Sequence, residues 1–147
     1  MTHSTAHILA TYLRSLTPSP FTDPADGTAW PLYIGSMPDG DKVQDNAACI
    51  YDTPGEKTGR LATGENLLKH GIQVSVRAVS YAAGFAKLQG VAETLETVHQ
   101  QMVTVGMTPY LIDIVSQTSP VFALGAEQGT KRRELFTLNL LVMLKAL

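Results

Sequence analysis

Residues 72–79 alternate strictly, with Ile72, Val74, Val76 and Ala78 on one side and Gln73, Ser75, Arg77 and Val79 on the other. That is the period of a strand with one buried face. From Tyr81 the period changes. Tyr81, Phe85, Leu88, Ala92, Leu95, Val98 and Met102 recur every three or four residues and predict one long amphipathic helix. Ser80 stands where a hydroxyl can accept a bond from an unpaired first-turn N–H. Gly106 and Pro109 are placed to end this helix.

The flanking segments supply the rest. Ala6, Ile8, Leu9, Tyr12, Leu13 and Leu16 mark a first amphipathic helix, with Ser4 or Thr5 as its cap. Residues 17–28 hold three prolines and a glycine and read as a loop. Residues 30–35 predict a short strand with Pro31 at its start or on an edge, and residues 47–51 predict a second. The two read as a hairpin with a long polar tip. Residues 52–70 have no clear period, contain Pro54, Gly55, Gly59 and Gly64, and read as a long loop. Residues 110–115 predict a strand, residues 121–124 a short extended piece, and residues 135–144 a final strand. That last strand is apolar throughout on the Phe136, Leu138, Leu140, Val142, Leu144 face and mixed on the other. Such a strand belongs inside a sheet or at a partner interface. The order α-β-β-β-α-β-β predicts an α+β fold: a mostly antiparallel (mixed) sheet of about five strands with two helices packed on it. The whole chain, 1–147, reads as a single domain.

Composition narrows the function classes. Hydrophobic residues make up 44% and charged residues 16%, enough apolar surface for a core with some left for a subunit interface. A net charge of −2 argues against a dedicated nucleic-acid binder. The single Cys49 excludes an internal disulfide and, within the apolar run 47–51, reads as a small core residue. Neither a secretory leader nor an apolar run of membrane-spanning length is present, so a soluble, cytosolic chain is expected.

The search for chemistry returns little. Asp39 and Asp41 alternate as a calcium loop requires, but no late Glu follows. Gly59 to Gly64 imitates a phosphate loop, yet Glu65 and Asn66 stand where Lys and Ser or Thr are needed, and a carboxylate there repels phosphate. His3 and His7 share a helix face but make only half a metal site. Ser116, Asp113 and His99 can be written as a nucleophile set without any accompanying signature, and Glu93 with Glu96 reads as a solvated helix face. Catalytic, cofactor and metal residues are therefore expected to be none. The basic cluster at Lys131, Arg132 and Arg133, just before the last strand, reads either as edge-protecting charge or as a docking patch.

The order of marks along the chain has a counterpart. A short helix leads to Trp30-Pro-Leu-Tyr-Ile-Gly and an Asp-rich turn, then to an apolar strand ending in Tyr51-Asp-Thr-Pro54-Gly55. Gly71-Ile-Gln-Val-Ser-Val-Arg77-Ala follows, with a Tyr81-led helix, a Leu124-Gly125 turn, Arg132-Arg133 and Phe136-Thr-Leu-Asn139. Over roughly residues 5–146 this resembles the minor capsid proteins of tailed bacteriophages that act as tail terminators. The resemblance implies a structural subunit, not an enzyme, without cofactors. It implies a hexameric homo-oligomer ring that caps the tail tube, meets the tube protein and the head connector or completion protein, and lets DNA pass its lumen without specific binding. It places the protein in the virion tail, assembled in the host cytoplasm and away from membranes. Glu56, Lys57, Arg60, Glu65, Lys131, Arg132 and Arg133 are the candidate assembly interface, since an unpatterned loop and a basic cluster suit contacts that form on docking. Two other readings compete: a head-completion protein of the same particle, and a small α+β ligand-binding domain or enzyme. A pocket for the latter would lie at Val74, Val76, Phe85 and Leu88, which look like plain core.

Overall fold

The computed structural model describes residues 1–27, 30–38, 44–64, 66–126 and 133–147. Helix α1 spans Thr5–Ser15 and α2 spans Tyr81–Glu96. Seven strands are described: β1 Leu32–Ile34, β2 Ala47–Arg60, β3 Asn66–Ala78, β4 His99–Val105, β5 Thr108–Gln117, β6 Phe122–Ala126 and β7 Glu134–Ala146. An isolated bridge between Thr22 and Pro31 precedes β1. Strand accounts for 49% of the structure and helix for 23%, so the protein is mostly β and the α+β expectation of about five strands is overturned. The sheet runs β1-β2-β3-β7-β5-β4, with β6 on β7 beside β5.

Three local misreadings account for the difference. The long helix stops at Glu96, because Thr97 caps it and the chain leaves the helix there. Residues 99–105 then form β4, with Val103 and Val105 buried in strand alternation. Gly106, at φ 62°, makes the tight turn into β5. Residues 52–60 and 66–70 form long extensions of β2 and β3 in place of a loop. β1 and β2 are parallel, not a hairpin. The stretch between them, residues 35–46, is long enough for the crossover that parallel neighbours need.

Several local expectations hold. Ser80 accepts from Ala83 N and Ser4 from His7 N, as N-caps do. Ile72, Val74, Val76 and Ala78 are all buried. β7 lies in the sheet interior, bonded to β3 on one side and to β5 and β6 on the other.

The sheet is curled, and one apolar core fills its concave side. α2 packs across β7, β3 and β5, with Leu88, Val91, Ala92 and Leu95 inward. It comes so near β7 that a Cβ on Gly84 would stand 2.5 Å from Phe136 Cε2. α1 touches β1 and β2 at one end of the sheet and β4 at the other, closing the curl. Its first turn is tied to both sides: Ala6 N donates to Asp52 Oδ1 at 3.1 Å, and the His3 ring nitrogen lies 2.8 Å from the Tyr110 hydroxyl. Pro38, Gln44 and Asp45 are held by two buried arginines. Arg77 donates to the Pro38 and Gln44 carbonyls, and Arg133 Nε pairs with Asp45 Oδ1 at 3.0 Å.

Candidate functional site

The most distinctive feature is the outer half of the β2–β3 hairpin. β1 covers β2 only at residues 48–50, and β7 covers β3 only from His70 onward. Residues 53–60 and 66–69 therefore continue as a two-stranded arm beyond the sheet, interrupted by register shifts between Thr53 and Glu56 and between Lys57 and Gly59. Two glycines let the strands cross closely at its base. A Cβ on Gly55 would stand 2.0 Å from the Lys69 carbonyl oxygen, and one on Gly71 would stand 2.4 Å from that of Pro54. Backbone cannot yield to such contacts, so only glycine fits at either place. A shallow cleft of about 330 Å³ opens at this base, with Asp52, Glu56 and His70 among its lining.

The candidate interface residues divide. Glu56, Lys57 and Arg60 are exposed on the arm. Glu65, Lys131 and Arg132 lie outside the described residues. Arg133 is only 3% exposed and paired with Asp45, so the structure gives it an internal role and removes it from a docking patch.

The sparse chemistry resolves into structural contacts. His3 and His7 meet edge to face at 5.2 Å, with His3 engaged by Tyr110. Among the described residues no group of three potential ligands is placed to hold a metal. His99 stands opposite Ile114, and Asp113 falls at the bulge between Ile112 and Ile114. The supposed ligand pocket is filled, since Val74, Val76 and Leu88 are fully buried core.

A larger cleft, about 630 Å³, lies between residues 16–20 and α2. Lys87 sits at its side, donating to the Pro20 carbonyl at 2.7 Å with its Nζ 5.0 Å from the Trp30 ring centre. Burial lowers the Lys87 ammonium from its ordinary range, while the carbonyl and the ring face hold its proton. This arrangement fastens the proline-rich loop to the helix.

Cys49 is buried in β2, and burial pushes its thiol from 9.0 up to about 11. A thiol held neutral is not a nucleophile. Cys49 is expected to ignore an aromatic disulfide reagent at pH 8 in the native protein and to react fully in denaturant, read by absorbance. Its contribution to stability is present below the unfolded value of 9.0 and is lost as pH rises towards about 11. Rapid labelling of native protein would contradict this burial.

Sequence reasoning missed three parts of this surface. The arm lacks a buried face and so gave no period. The glycines at its base looked like loop punctuation. Tyr81 and Phe85, assigned to the buried stripe, are 58% and 41% exposed and stack edge-on against Phe136.

No family model matches the chain, and no curated protein matches it. Among solved structures, a chain carrying no functional description aligns over 95% of this chain and 95% of its own, at 15% identity and a TM-score of 0.39. That likeness is too loose to carry an argument.

Proposed function

We infer that this protein is a structural subunit of a bacteriophage tail terminator, a minor capsid protein whose copies form a hexameric ring on the tail tube. The ring stops tube growth and offers its other face to the head connector, and DNA passes through it. The reading rests on the marks from Trp30 to Asn139 described above, and the arm is the structural observation that supports it. A two-stranded hairpin without further partners is marginal in water. An arm of that kind, built on a closed core, fits a protein whose work is assembly. A net charge of −2 suits a channel that must release DNA, since a strongly basic lumen would hold it.

Deleting residues 58–64 tests this. The deletion removes the arm tip and no core residue, so a folded protein is expected. In a complementation assay, electron microscopy should then find tails of uncontrolled length or tails unattached to heads. Uniform tails joined to heads would sink the reading.

A further inference from the structure

An open strand edge presents a row of unpaired N–H and C=O groups. A chain with two unlike open edges that cannot meet each other offers both halves of a contact between its own copies. Here one such edge is the outer side of β2 at residues 56–60, which lies past the reach of β1 and has no strand beside it among the described residues. The other is β6, whose sole strand neighbour among the described residues is β7 and whose residues Phe122, Ala123, Leu124, Gly125 and Ala126 are all exposed. β6 carries neither a charge nor a proline, and one register shift between Ala123 and Gly125 is the single irregularity along it.

The surroundings of β6 are those of a covered edge. Leu124 is 57% exposed, and Phe122 is exposed beside it. Across the strand, Ala123 pairs with Phe136, against which the exposed rings of Tyr81 and Phe85 stack. Glu96 shares a cleft with Pro120 just before the strand. The arm brings complementary groups: Lys57 and Lys69, and the exposed Leu61 and Leu68. Cationic heads on apolar stems suit aromatic faces flanked by a carboxylate.

Position rules out pairing within one copy. β6 bonds to residues 134–137 of β7, on the side of β5. The arm leaves from the level of Val142, on the side of β3, and points further away. Five residues of β7 separate the two levels, about 17 Å along the strand.

We propose that the outer edge of β2 at residues 56–60 of one copy pairs with β6 of the next, extending that copy's sheet by one strand. Each edge is five residues long. The contact is head to tail, so every copy gives one and receives one, and repetition closes a ring where the rotation allows. It supplies the subunit contact for the ring inferred above and rests on that reading for closure alone.

Variants with one introduced cysteine test the contact, with Cys49 buried and the parent chain as control. Lys57→Cys and Leu124→Cys are expressed separately, together, and as one double variant, then treated with a short bis-maleimide. Cross-linked dimer is expected in the co-expressed pair and absent from either variant alone, and the double variant should give a ladder. Dimer in Lys57→Cys alone would place arm against arm and overturn the proposal. No dimer in the pair would overturn it as well, whatever the mass in solution. The two readings fail separately: cross-linking with normal tails in the deletion assay removes the tail role and leaves the contact, and defective tails without cross-linking do the reverse.

Discussion

Leu95→Asp is expected to abolish the cooperative unfolding transition. Leu95 is fully buried on the inner face of α2, within the single core. Truncating a buried leucine costs about 2–5 kcal/mol in lost burial and cavity. An uncompensated carboxylate in the same place adds several kcal/mol more. Domains of this kind have about 5–15 kcal/mol in total. Circular dichroism should show no sharp melt, and the protein should aggregate. Leu95→Met, which conserves volume, should melt cooperatively with a loss of at most about 1.5 kcal/mol. A soluble, sharply melting Leu95→Asp protein would mean that α2 turns another face inward.

The second large effect is expected from Arg133→Glu. Read as a rim charge, this residue would tolerate reversal and change only the rate and salt dependence of association. Its side chain is instead 4% exposed, with Nε 3.0 Å from Asp45. Reversal sets a buried carboxylate against that aspartate. Breaking a buried pair costs about 3–5 kcal/mol, and the 38% exposure of Asp45 moves the expected loss towards the lower figure because water screens it. Denaturant titration measures the loss. Asp45→Arg combined with Arg133→Asp should recover part of it, since the attraction returns with its sign intact. A change under about 0.5 kcal/mol in Arg133→Glu, the range of ordinary surface substitutions, would restore the docking reading for this residue.

What the sequence disclosed follows from where burial leaves a period. Ile72 to Ala78 and Phe136 to Val142 line the core at every second position, and each was legible as a strand. Ser4 and Ser80 were legible because a cap needs only one side chain in one place. The helix ran on too far because Val98 and Met102 continue a spacing of three and four by chance. The β-branched run Val103-Thr104-Val105 and the turn at Gly106 were the contrary signal. The arm was illegible for a physical reason: a strand exposed on both faces has no pattern to display, and its glycines serve a close crossing that only coordinates reveal. The direction of β1 against β2 leaves no trace in either strand. Of the candidate interface, Glu56, Lys57 and Arg60 do share one projecting element, whereas the acceptor at β6 was seen only as a short extended piece.

The place of β7 has a further consequence for how the chain reaches this state. It follows every other described strand in the chain, yet it bonds to β3, β5 and β6. Until it is made, the strand neighbours that can join among the described residues are β1 with β2, β2 with β3, and β4 with β5. Before then the two halves meet through helices alone, since α2 touches both β3 and β5, and α1 must wait for β4 to close the curl. The sheet is therefore completed late, and its unfinished form leaves apolar half-sheets without the strand that joins them. That is a high-contact-order topology, which folds slowly and whose unfinished molecules are the ones most exposed to aggregation.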